Sequence, residues 1–207
     1  MTNSSDLFRR EATLIRRVFY RDPVQDMTVT VEAGATFCRA TALGCGGQGA
    51  VWGGGGALAR RRFPISDGEA LTLRVGNTST ASVFGDSYVK RQDGTVLVYA
   101  DRGRGNGTRG LASNSIGDVR LDGSDGNSSA GRGGAPASDE GLYGPVVGTG
   151  YGYRASGFYS GALQADPGGG GLLSYVFNNS GEIERTIAYP AGAGLVVLEY
   201  FNFDPGY

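Results

Sequence analysis

The stretch FCRATALGCGGQGAVWGGGG, residues 37–56, limits the fold most tightly: a strand-like alternation breaks into two glycine clusters with the only tryptophan, Trp52, between them. Glycine accepts backbone angles and close approaches that any Cβ forbids, so such a run marks backbone packed on backbone. Clusters recur at residues 103–110, 131–134, 148–152 and 168–171. With 38 glycines in 207 residues, the choice lies between collagen, disorder and an unusual packed architecture. Collagen needs glycine in a sustained third-position register, which is absent. Disorder fits poorly with 40% hydrophobic residues, including 11 Tyr and 9 Phe. The expectation is an all-β, glycine-rich, β-sandwich-like domain.

Residues 1–26 contain no glycine and read as an N-terminal docking arm ahead of a glycine-rich β domain at 27–207. Phe8, Ala12, Ile15 and Phe19 fall at helical spacing, with Leu7, Leu14 and Val18 on an adjoining stripe. The segment TLIRRVFYR equally tolerates a strand, and both readings stay open. Leu7, Phe8, Leu14, Ile15, Val18 and Phe19 are the candidate docking residues. Strands are expected at residues 27–31, 37–43, 71–75 and 194–201, the last central, with the arginine triplet at 60–62 on a solvated edge. A hairpin joins YVKRQ to TVLVY through Asp93-Gly94, a pair suited to a type I′ turn, and another joins LLSYVF to EIERTIAYP. Residues 100–141 are small and polar, yet a compact domain rarely carries so long a structureless loop, so ordered glycine-rich backbone is expected there. Between 141 and 161, glycine alternates with Tyr143, Tyr151, Tyr153, Phe158 and Tyr159. Rings on short glycine-flanked turns can stack on sugars or fill a partner's apolar pockets, and these five are the receptor-contact candidates. Capping a core that glycine cannot fill is the competing use.

Chemistry is sparsely represented. The chain has no histidine, which removes the commonest general base and zinc ligand. The cluster GCGGQG is followed by neither a helix signal nor a lysine, against a phosphate cradle. Asp118, Asp122, Asp125 and Asn127 offer oxygen ligands that suit a calcium ion, but without the frame of a helix–loop–helix site. Aspartate-glycine turns with side-chain to backbone hydrogen bonds are the simpler reading. Neither an enzyme nor a cofactor is expected. A net charge of −1 gives no field for nucleic acid or an anionic membrane, and no apolar run approaches the roughly 18 residues of a membrane helix. No secretory signal is recognisable, and Cys38 and Cys45 read as buried free thiols.

The order VTVEAGATFCRATALGCGGQGAVWGGGG, FPISDGEALTLRVG, SVFGDSYV, LVYADRGRGNG and AGAGLVVLEYF resembles the glycine-rich domain of bacteriophage tail and receptor-binding proteins over residues 27–201. The resemblance implies an all-β fold with polyproline-II-like glycine segments, in a virion component at a tail tip or fibre, assembled in the host cytoplasm in symmetric copies, with a trimer favoured. Other virion proteins and a host cell-surface glycan or protein are the implied partners, while nucleic acid and membrane insertion are not. A capsid spike, decoration or baseplate part without receptor binding is the alternative, and the family supplies no catalytic residues.

Overall fold

The computed structural model describes residues 12–22, 24–48, 53–77, 85–126, 168 and 191–204, with the backbone course of 172–177 and 183–189. The protein is all-β. The described strands are β1 (Leu14–Tyr20), β2 (Val24–Thr30), β3 (Phe37–Leu43), β4 (Leu58–Pro64), β5 (Ala70–Val75), β6 (Ser87–Arg91), β7 (Val96–Ala100), β8 (Val119–Leu121), β9 (Leu172–Phe177), β10 (Ile183–Tyr189) and β11 (Leu195–Phe201). They form a five-stranded sheet in the order β1-β11-β3-β4-β8, a four-stranded sheet β2-β5-β6-β7 and the hairpin β9-β10, with antiparallel pairing throughout.

The two larger sheets close on one core. Cys38, Ala40 and Ala42 of β3, Ala59 and Phe63 of β4, and Val196, Leu198 and Tyr200 of β11 meet Leu71, Leu73, Val75, Val89, Val98 and Ala100 of the other sheet. The small side chains of β3 let the opposing sheet come close, as the alternation of that strand anticipates. On the other face of the five-stranded sheet, Leu195, Leu43, Leu58 and Leu121 sit side by side on β11, β3, β4 and β8 and form a second cluster with Val197. All seven residues of β11 are buried, which confirms it as an interior strand.

Beyond the sheets the chain continues as glycine-rich segments. Successive main-chain donors after β3 turn to three neighbouring segments and then return to the first: Gly44 to Ala57 O (2.9 Å), Cys45 to Gly85 O (3.0 Å), Gly46 to Gly192 O (2.9 Å), and Gly47 back to the first segment at Gly54 O (2.8 Å). The segment before β4 does the same: Gly54 bonds Arg104 O (3.0 Å), Gly55 Ser124 O (2.9 Å), Gly56 Gly168 O (2.9 Å), and Ala57 returns to the 101–104 segment at Asp101 O (2.9 Å). Return to the same neighbour after three residues is the repeat of a polyproline-II helix. A flat strand would send alternate donors to only two sides. Any Cβ added at Gly44, Gly47, Gly53, Gly54, Gly56, Gly103 or Gly123 would come closer than 3.0 Å to a neighbouring main-chain carbonyl, so a side chain at these positions would have to push rigid backbone aside. Of the 100–141 stretch, residues 100–126 are ordered, with a 3₁₀ turn at Ala112–Asn114, and residues 127–141 lie outside the described residues.

The molecule therefore has two unlike poles. At one lie the turns at residues 32–35, 66–69 and 91–95, and the contact of Thr13 with Asn202, whose Oδ1 accepts from Thr13 N at 2.8 Å. At the other lies the glycine bundle, fed by the ends of β3, β5, β7 and the starts of β4, β6 and β11. Three sequence expectations change in detail. The division after residue 26 falls inside β2, and Leu14–Tyr20 and Val24–Thr30 are edge strands of the two sheets, β1 on β11 and β2 on β5, so these two strands are part of the domain rather than an arm apart from it. The turn at 91–95 is not type I′: Asp93 keeps a negative φ and only Gly94 is left-handed (φ 88), because Arg91 and Thr95 close a three-residue loop. The arginine triplet straddles β4, with Arg61 reaching Asp118 at 3.0 Å and Arg62 reaching Asp204 at 2.9 Å, so it is paired rather than simply solvated.

Candidate interaction surfaces

The glycine pole is built mainly from main-chain hydrogen bonds, and its most heavily bonded side chain lies at its root. Asp101, 4% exposed, follows β7 and holds the turn of chain beyond it. Its carboxylate accepts from Arg104 Nη1 (3.1 Å) and Nη2 (3.2 Å), from Leu111 N (2.9 Å) and from Asn114 Nδ2 (3.1 Å). A buried carboxylate survives only where such donors replace water. From this root the chain runs out to a tip at residues 105–107 and returns, the tip closed by Arg104 N to Thr108 O at 2.8 Å. The same frame appears at the opposite pole in residues 91–95. RQDGT and RGNGT share the i to i+3 bond to the glycine (3.1 and 3.2 Å) and a side-chain oxygen accepting from the threonine N (2.8 and 3.1 Å). The glycine in each has φ 88, a left-handed value that closes a type I turn with a bulge.

The acidic residues proposed for calcium have other duties. Asp118 pairs with Arg61, Asp122 accepts from Ala112 N at 2.6 Å, and Asp125 accepts from Arg109 N at 3.0 Å. Among the described residues no three His, Cys, Asp or Glu side chains converge. The side-chain to backbone reading of these aspartate-glycine turns is thus what Asp122 and Asp125 display, while Asn127 lies outside the described residues.

Of the docking candidates, Leu14, Ile15, Val18 and Phe19 lie on β1, the edge of the five-stranded sheet. Leu14 and Ile15 are each 41% exposed and Phe19 is 37% exposed, whereas Val18 packs on the core. The strand alternative, not the helix, holds for this segment. Leu7 and Phe8 lie outside the described residues, as do all five receptor-contact candidates, Tyr143, Tyr151, Tyr153, Phe158 and Tyr159, and Trp52.

Besides Asp101 and its donors, two charged constellations escaped the sequence reading. On β11, Glu199 is fully buried, with Arg17 Nε at 2.8 Å from one carboxylate oxygen and Arg39 Nε at 2.7 Å from the other. Burial alone would raise its pKa, but the hydrogen bonds and charges of Arg39 and Arg17 outweigh it and hold the carboxyl below its ordinary value. The signal was one acid within the apolar run LVVLEYF. On the outer face of the four-stranded sheet, Asp26 sits at a bulge between Val24 and Met27 with φ 53, the sole left-handed non-glycine among the described residues. It accepts from the Tyr88 hydroxyl, which together with Arg74 and Lys90 holds its pKa below the usual carboxylate value. Arg74 and Lys90 lie over the Tyr88 ring at 4.7 and 5.1 Å. An aspartate amid VQDMTV was the available clue, since strand interiors disfavour it. Cys38 and Cys45 are both free and buried, and burial pushes the Cys45 thiol up to about 12.

No family model matches the chain, and comparison with curated proteins and with solved structures finds no match. No helix among the described residues is long and apolar enough to cross a membrane.

Proposed function

We propose that the protein is a structural, non-enzymatic component of a bacteriophage virion, at the tail tip or fibre, which displays glycine-rich loops for recognition of the host surface. The observation that carries this reading is the division into poles. One end ties Thr13 to Asn202, and the other is a main-chain-bonded glycine bundle whose tip residues Gly105, Asn106 and Thr108 are exposed or lie at its end. A bundle held by backbone bonds leaves tip side chains free to vary, as a recognition surface requires. Attachment through β1 and further copies of the chain, a trimer by preference, completes the arrangement. The test is adsorption: purified protein should bind cells of the phage's host and slow adsorption of intact phage, and failure of both would overturn the reading.

The exposed apolar row Leu14, Ile15 and Phe19 on an edge strand favours a second reading, a capsid spike, decoration or baseplate part that packs on neighbours and recognises no receptor. Position in the particle separates the two, since decoration follows capsid symmetry and receptor binders occupy the distal tip.

A further inference from the structure

We propose that Asn106 is a site of spontaneous covalent modification, losing its side-chain amide through attack by the main-chain nitrogen of Gly107. The argument is independent of any virion role. Asn106-Gly107 is the only asparagine-glycine pair in the chain. Asn106 is exposed at the tip, and the residue after it carries no Cβ to obstruct ring closure. The attacking nitrogen is weakly held, with its N–H donating to Arg104 O at 3.2 Å, the long limit of such bonds. The electrophile is prepared: Asn106 Oδ1 accepts from Thr108 N at 3.1 Å, so a main-chain donor already points at the oxygen on which negative charge develops during attack.

The step balances without any outside reagent but water. A bond forms from Gly107 N to Asn106 Cγ, the Cγ–Nδ2 bond breaks, and the amide group leaves with the Gly107 proton as ammonia. Water then opens the resulting five-membered imide at either carbonyl, giving aspartate or isoaspartate. In the second product the main chain runs through the former side chain and is longer by a methylene. That lengthening falls inside a tight frame, bracketed by Arg104 N to Thr108 O and by Gly126 N to Gly107 O, both 2.8 Å. The remaining described asparagines are protected. Asn77 and Asn114 precede Thr78 and Ser115, Asn202 precedes Phe203, and the Asn114 amide is further held by Asp101.

The experiment incubates the folded, purified protein at neutral and mildly alkaline pH and follows it by peptide mass spectrometry with isoaspartyl-specific enzymatic labelling. Expected is progressive, first-order loss of the Asn106 amide to both products, faster at higher pH, with Asn77, Asn114 and Asn202 intact, and no isoaspartyl labelling at this position in Asn106→Gln. An Asn106 that stays intact in the folded protein, while the same chain in denaturant converts, overturns the proposal. Because the decisive comparison uses the unaltered sequence, misfolding of the variant would not obscure it.

Discussion

At the scale of single residues, space decides what each glycine tolerates. Gly54 has neighbouring main-chain atoms where a Cβ would stand, and rigid backbone cannot yield as a flexible side chain can. Gly54→Ala should therefore destabilise the protein by about 3 kcal/mol or more, at the upper end of overpacking effects, read as a lower denaturant midpoint. Gly34 has open space around the same position and only its φ of 78 to defend. Gly34→Ala should cost only about 1 kcal/mol, and equal losses at the two sites would undo the packing account. Glu199 makes a prediction in pH. Its folded pKa lies below the unfolded value, so its contribution is complete above the ordinary carboxylate range and disappears as pH falls through the depressed folded value. Glu199→Gln should lower stability at neutral pH and flatten its acid dependence, as chemical denaturation across that range would report. Removing the charge leaves Arg17 and Arg39, both partly reached by solvent, facing a neutral amide, a loss on the order of 2 kcal/mol, that of a hydrogen bond to a charged group.

At the scale of elements, β1 offers the cleanest separation of folding from association. Ile15 and Phe19 alternate with Val18 and Tyr20, which pack on the core, so polar replacement on the exposed side spares the interior. Ile15→Lys with Phe19→Asp should change stability by no more than about 1 kcal/mol in total while abolishing incorporation into particles or self-association, measured by assembly and by sedimentation. The strands themselves were legible because their pattern was strong: TVLVY, LTLRV and LVVLEYF each carry the alternation or continuous apolarity of a half-buried or buried strand. The hairpin at Asp93-Gly94 was legible in place but not in type, since a two-residue and a three-residue loop share the same dipeptide and differ only in which partner closes them. The bulge at Asp26 and the pairing of Glu199 with Arg17 and Arg39 depend on contacts between residues distant in sequence, and no local pattern encodes those partners.

At the scale of the whole molecule, the fold joins its extremes: β1 pairs with β11, and β11 in turn pairs with β3. Such non-local pairing predicts slow folding, in the range of milliseconds to seconds. The glycine bundle and the sheets also share a boundary at Cys45, whose N–H bonds Gly85 O and whose carbonyl accepts from Gly103 N at 2.8 Å. Cys38 lies within the sheet core, and Cys45 at the root of the bundle. If the two regions open as one unit, both thiols should react with a thiol reagent at a single rate under native conditions, whereas earlier labelling of Cys45 would reveal a bundle that opens by itself. That glycine clusters mark backbone lying on backbone was readable from composition and spacing. Which segments touch was not, because glycine carries no side chain whose chemistry would single out a neighbour. The return of donors to one partner at every third residue has a consequence for length. One residue inserted into 44–47 or 54–57 would rotate each later amide by about a third of a revolution toward the wrong segment, whereas a triplet would restore its aim. Lineages of this chain should therefore differ inside those runs by whole triplets.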